Sequence, residues 1–300
     1  MRDESLGLTR RAALARMAAA AAFGATSMLA SAQSAQPVAL PTPQPAGRLR
    51  QSLSRWTSKE PLPQLCSRIH GMGFRALDLV HTDEWSVVTD HGLAVSMGYP
   101  TRRDNFIAMG FNDPANHAVL LKELEDTIPL AQKAGVKNLI TMFGNRRPDI
   151  DERRALDNCV AGLSKIAPLA QESGITLCVE LLNSKVDHHG YQGDSTAFGV
   201  AVMKGINSPN VKLLYDIYHM QIMEGDVIRT IRDNMAWIGH FHTGGVPGRH
   251  EIDGTQELNY HAIAKAIADA GFQGFIAHEF MPTNPDPFVS FADAVRICTV

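Results

Sequence analysis

The chain has 300 residues, 45% hydrophobic and 20% charged, which is material for one large soluble domain or two small ones. Its 28 basic and 31 acidic side chains leave a net charge of −3. That balance gives no basis for a nucleic-acid partner or an anionic membrane surface.

Residues 1–32 differ from the rest. Thr9-Arg10-Arg11 precedes an alanine-rich apolar stretch from Met17 to Leu29, followed by Ala30-Ser31-Ala32. A charged start, a short apolar run and an A-x-A-type site are the layout of an export signal. The paired arginines give it the form of a twin-arginine signal, so a periplasmic or otherwise exported protein is expected. A general secretory signal or an uncleaved anchor is the competing reading. The apolar run is short for a membrane span, and no stable insertion is expected after processing. Residues 33–47 are proline-rich without a hydrophobic period and read as a disordered tether.

Residues 48–300 are the expected catalytic domain. Short β-type runs fall at Leu49–Ser54, Arg75–Val80, Leu93–Gly98, Val136–Met142, Ile175–Leu182, Val211–Asp216, Trp237–His242 and Phe275–Glu279. Amphipathic stretches alternate with them. Leu120, Leu121, Leu124, Ile128 and Ala131 form one apolar face, and Ala155, Cys159, Leu163, Ile166 and Leu169 form another. Gly73, Gly135, Gly174 and Gly271 each stand between a helical run and the next strand, where αβ turns need them. Eight such units predict an α/β fold, a (β/α)8 TIM barrel. No G-x-G-x-x-G and no P-loop follows any strand, which removes the main nucleotide-binding alternatives. Cys66, Cys159, Cys178 and Cys298 are widely spaced and read as buried free thiols.

Four successive runs carry an acid or an imidazole at or near their ends: Glu180, two residues before Leu182, and Asp216, His242 and Glu279 at the last positions. In a barrel these ends share one rim, so the four side chains are expected to converge. Any one of them could be a solvated strand end or a helix cap, but four on consecutive strands make a divalent-metal site. Three carboxylates with one imidazole suit Mn²⁺ or Mg²⁺, with Co²⁺ and Zn²⁺ compatible. His240 is two residues before His242 and shares its face, so it is expected as a supporting or core histidine rather than a ligand. His219 and Arg249 lie just past strands six and seven, within reach of a substrate oxygen or carboxylate, the alternative being a helix-capping histidine and a surface arginine. Asn145-Arg146-Arg147 is read equally as a substrate contact or a plain basic turn, and Asp187-His188-His189-Gly-Tyr191 as a surface loop, with a lid over the site as the alternative.

Glu180-Leu-Leu-Asn183, the run Leu213 to Asp226, Gly245 to Glu251 followed by Glu257-Leu-Asn259-Tyr260, and Ala277 to Pro282 together resemble the hydroxypyruvate isomerase family. That family lies within the xylose-isomerase-like barrels, beside ketose 3-epimerases and an abasic-site endonuclease branch. The resemblance covers most of the chain after the tether. It implies that Glu180 and Glu279 are catalytic, that Glu180, Asp216, His242 and Glu279 bind one divalent metal ion, and that His219 and Arg249 grip substrate oxygens.

The implied activity is an isomerase of the aldose-ketose type, acting on a hydroxy-keto acid or sugar through an enediolate. Histidine at 242 is the residue of the sugar epimerases, where some hydroxypyruvate isomerases have glutamine. Val186 stands where the epimerases carry a further glutamate, and the endonuclease branch needs additional metal-binding histidines. The alternatives are a ketose 3-epimerase or other sugar isomerase of this fold and, from another class, a non-catalytic exported sugar-binding protein. A homo-oligomer is compatible with either.

Overall fold

The structure is a computed structural model that describes residues 47–101 and 104–300. The signal-type segment at 1–32, and the tether apart from residue 47, lie outside the described residues. Eight parallel strands alternate with helices: β1 (Arg50–Ser54), α1 (Leu62–Gly71), β2 (Ala76–Asp78), α2 (Trp85–Asp90), β3 (Ala94–Val95), α3 (His117–Ala134) and β4 (Asn138–Met142). Then come α4 (Glu152–Ser173), β5 (Thr176–Leu181), α5 (Thr196–Ile206), β6 (Val211–Asp216), α6 (Ile217–Met223) and α7 (Val227–Asn234). The series ends with β7 (Ile238–Thr243), α8 (Tyr260–Asp269), β8 (Phe275–His278) and α9 (Pro287–Cys298). The strand order is β3-β2-β1-β8-β7-β6-β5-β4. No helix among the described residues is long and apolar enough to cross a membrane.

All eight expected strands are present, and the two largest differences have local causes. The run at Arg75–Val80 keeps only Ala76–Asp78 as strand, because Leu79 turns into the left-handed region at φ 52°. The run at Leu93–Gly98 shrinks to Ala94–Val95, yet its end closes the barrel. Gly98 bridges Val80 on one side and Leu139 on the other. Its N–H donates to Asn138 O at 2.9 Å, and its carbonyl accepts from Ile140 N at 3.1 Å.

The closure needs glycine for space. A Cβ at 98 would lie 2.8 Å from Trp85 Cζ2 and 3.1 Å from Leu139 Cδ2. Trp85 cannot give way freely, since it is buried and its indole N–H donates to Val80 O at 3.0 Å. We therefore expect Gly98→Ala to destabilise the fold by about 1–3 kcal/mol through overpacking. Urea unfolding checks this, and an unshifted midpoint would mean that the β3–β4 seam is slack.

Strand alternation sends Leu53, Leu77, Leu177, Leu213, Phe241 and Ile276 outward, where they are buried beneath the helices. The faces of α3 and α4 that the 3.6-residue period marks pack against them, with Leu120, Leu124, Ile128, Cys159, Leu163 and Ile166 all buried. Gly135 and Gly174 end those helices in the left-handed conformation, as expected. All four cysteines are free and buried. The inward face has a different character: Ser52, Ser54, Asp78, Ser96, His240 and His242 make its upper layers small and polar.

Candidate active site

Glu180 on β5, Asp216 ending β6, His242 on β7 and Glu279 just past β8 meet inside the rim. Each offers one ligand atom, and all four atoms lie within 4.8 Å of one another. All four residues are buried. His242 sits between the two glutamates, with Nδ1 3.3 Å from Glu180 Oε1 and 2.6 Å from Glu279 Oε2. Glu279 holds its place although the β8 ladder ends at His278, because its N–H donates to Thr243 O at 3.0 Å. Asp216 divides its work between two oxygens. Oδ1 caps α6 by accepting from Tyr218 N at 2.8 Å and His219 N at 3.3 Å. Oδ2 faces the cluster, 3.2 Å from Arg249 Nη2.

Beneath the cluster lies Asp78, fully buried at the end of β2. Its Oδ1 accepts from His242 Nε2 at 2.9 Å, its Oδ2 lies 2.9 Å from His240 Nε2, and the Ser96 hydroxyl donates to it. Burial alone would raise the pKa of Asp78, but His240 and His242 outweigh that and hold it below the ordinary carboxylate range. An ionised Asp78 fixes the proton on Nε2 of His242, which leaves Nδ1 to serve as a ligand.

The donor set fits a divalent cation. At typical ligand distances of about 2.0–2.2 Å, donors around one ion lie within roughly 4.4 Å of each other, comparable with the spread seen here. His242 Nδ1 and Glu279 Oε2 are buried, and despite their 2.6 Å approach neither has an aligned hydrogen bond. Burial pushes Glu180 up and Asp216 to about 7. Burial also acts upward on Glu279, but Arg249 and His242 overcome it and keep that carboxylate well below its usual range. Burial disfavours charge on His242, yet Glu279 and the bond to Asp78 draw a proton onto it and raise its pKa well above 6.5. A cation at the centre would replace that proton and reverse the crowding of acids.

Around the cluster stand groups able to hold a substrate. Arg249 Nη2 is 2.7 Å from Glu279 Oε2, and its guanidinium lies 5.3 Å from the ring centres of both Trp56 and Tyr218. The Trp56 indole N–H donates to Glu279 Oε1 at 2.7 Å. His219 is fully buried, and its tautomer follows from its neighbours. The Asn183 carbonyl accepts from Val186 N and Asp187 N, so its amide nitrogen faces His219 Nδ1 at 2.7 Å and donates to it. The proton of His219 is therefore on Nε2, a buried atom with no hydrogen-bond partner. Burial, with Arg249 nearby, keeps this imidazole neutral, its pKa well below 6.5. His219, Arg249, Glu180 and Glu279 all line a cavity of about 540 Å³.

Residues 78–296 match the family model described as Xylose isomerase-like TIM barrel. The chain belongs to that family. Among curated relatives of this xylose isomerase-like barrel, a Cupriavidus necator protein named 2-oxo-tetronate isomerase is 34% identical over 148 residues, 49% of this chain. That alignment spans 56% of the relative's length, little more than half. A Drosophila melanogaster protein provisionally named hydroxypyruvate isomerase is 27% identical over 221 residues, covering 71% of this chain and 83% of its own. In fold, the chain is similar to a Brucella melitensis AP endonuclease of family 2, with a TM-score of 0.72 at 22% identity over 81% of this chain and 96% of that one.

The xylose isomerase-like barrel thus brings together all six residues singled out from sequence. His240 is fully buried below His242, and with Asp78 and His242 it forms a second group of three donors close enough to hold an ion. Arg146 and Arg147 are structural, paired with Asp194 at 2.7 Å and Asp113 at 3.1 Å. Of the two readings of the segment after β5, His188 departs from the surface-loop one: it is half-buried, lines the cavity, and its ring centre lies 5.3 Å from that of His219. Asp78 and Trp56 went unmarked. Asp78 sits inside a longer apolar run, and Trp56 lies outside every motif. Asp78 carried one signal, an acid facing the same way as a strand end.

Proposed function

We propose that this chain is a divalent-metal-dependent isomerase of α-hydroxycarbonyl compounds, moving a proton between adjacent carbons through an enediolate. One observation carries this: two buried glutamates, Glu180 and Glu279, flank His242 from different strands of one four-donor cluster. A two-base proton transfer needs acids on two sides of the substrate, and simple binding does not. The names of the Cupriavidus and Drosophila relatives, both isomerases, support the same chemistry.

Each residue then has a task. Glu180, whose burial strengthens its hold on a proton, exchanges the carbon-bound hydrogen from the β5 side, and Glu279 does so from the β8 side. His219 Nε2–H donates to a substrate oxygen and, being neutral, does so without adding charge. Arg249 anchors a second oxygen or a carboxylate beside Glu279. Tyr218 and Asn183 hold this wall by donating to Asp187 Oδ2 at 2.8 and 2.6 Å. The ion held by Glu180, Asp216, His242 and Glu279, Mn²⁺ or Mg²⁺ by the hardness of the oxygens, supplies the Lewis acidity that favours negative charge on the reacting oxygens.

We expect about one divalent ion per chain after reconstitution with Mn²⁺, and its loss in Asp216→Ala. Elemental analysis checks both, and a parent protein that stays metal-free after Mn²⁺ reconstitution would overturn the site.

We further propose that the protein is exported by the twin-arginine route, which carries folded proteins and so suits one that loads its metal before leaving the cytoplasm. The support is the Arg10-Arg11 pair ahead of the apolar run. Replacing both arginines with lysine should strand folded precursor in the cytoplasm on fractionation. Normal export of that variant would point to the general secretory route.

A further inference from the structure

The proposed chemistry occupies one side of a space much larger than it needs. At about 540 Å³ the cavity falls in the range of pockets that take ligands larger than a three-carbon hydroxy-keto acid.

The two halves of this space differ in chemistry. Every member of the four-donor cluster comes from β5 to β8. The segments after β1, β2 and β3 add aromatic lining: Trp56, which lies against Glu279, and Tyr99 and Phe106, with Ile107 in the same cavity. These rings are held in fixed planes. Tyr99 stacks on His81 with centroids 4.7 Å apart and planes 22° apart, and Phe106 meets Tyr99 edge-on at 5.3 Å. Arg55 and Glu84 also line the cavity, with Arg55 Nε 3.5 Å from Glu84 Oε1. Flat aromatic faces bounded by planar charged groups suit a sugar ring, whose C–H face stacks while its hydroxyls pair at the edge.

We propose that the substrate is a ketose carrying a second pyranose-sized ring, its α-hydroxy-ketone between Glu180 and Glu279 and its second ring against Tyr99 and Phe106, on the side of the cavity that Arg55 and Glu84 also line. This rests on the enediolate reading above and adds the substrate class to it.

Lactulose and isomaltulose, two disaccharides with a keto group available in the open chain, test it against D-fructose and hydroxypyruvate. With Mn²⁺-loaded protein in D₂O, kcat/KM for deuterium uptake beside the carbonyl should be at least tenfold higher for one disaccharide than for either smaller compound. Tyr99→Ala and Phe106→Ala should each lower the disaccharide-to-fructose ratio about tenfold. Saturation-transfer NMR, which needs no turnover, should mark the protons of the second ring. Equal exchange into fructose or hydroxypyruvate, with ratios unmoved in the variants, would overturn the second-ring proposal and leave the isomerase reading standing. Ring contacts without exchange into any compound would overturn the enediolate reading alone. Neither exchange nor ring contacts would overturn both.

Discussion

Replacing Glu180 with glutamine is expected to lower turnover by roughly 10² or more, the scale of a lost general base, while most of the bound metal is kept. Glutamine retains an oxygen donor and nearly the same size, so a loss of rate with metal in place isolates the proton acceptor. Glu279→Gln should lose rate on the same scale but tolerate the change less well. Its two oxygens face the Trp56 N–H at 2.7 Å and Arg249 Nη2 at 2.7 Å. A glutamine there must turn an NH₂ group toward one of these donors. We therefore expect Glu279→Gln to bind metal more weakly than Glu180→Gln and to unfold at lower urea. Initial rates, elemental analysis and solvent-deuterium exchange on both variants separate these effects. Exchange surviving in one variant alone would identify the forward base. Parent-like turnover in both would remove the two-glutamate mechanism.

Asp78→Ala is expected to have the largest effect on the fold. Asp78 is fully buried and takes contacts from His242, His240 and the Ser96 hydroxyl. Removing it strands polar groups in a dry barrel interior, and breaking a buried charge pair from one side costs about 3–5 kcal/mol. The same change frees the His242 ring to rotate or shift its proton, which typically costs 10–100-fold in metal affinity. Asp78→Asn keeps one acceptor and should fall between alanine and the parent. Urea unfolding reads the first effect and titration calorimetry with Mn²⁺ the second. If Asp78→Ala binds Mn²⁺ as tightly as the parent, His242 is oriented by something other than this carboxylate.

Much of the site was legible because a parallel barrel gives every strand the same job. An apolar run that carries one acid or imidazole at or near its end places that residue at the common rim, wherever it lies along the chain. Glu180, Asp216, His242 and Glu279 each follow this rule, so order and spacing were enough to group them. Arg249 and His219 were legible for a related reason, lying one short step beyond the same ends. The alternating pattern also placed His240 on the same inward face, two residues deeper than His242.

Other features depend on partners that a linear pattern does not contain. Asp78 looked like the middle of a six-residue run, because nothing local announces that Leu79 will turn left-handed at φ 52° and end the strand there. The seam through Gly98 is set by the approach of Trp85 and Leu139, not by a propensity of its own. Arg146 and Arg147 had the composition of an anion site and instead pair with acids of neighbouring loops. His188 was polar enough for solvent, and its place in the cavity follows from how the segment after β5 folds toward His219.

The sequence by itself determined the eight-unit barrel and which side chains stand on its rim, since both follow from periodicity and from polar residues at run ends. Tertiary structure decided the state and direction of those side chains. The nitrogen of His242 that faces the cluster is chosen by a hydrogen bond to Asp78, 164 positions away in the chain. Such bonds form only when the barrel closes and excludes water, so a buried imidazole must satisfy its N–H with whatever acceptor the fold delivers.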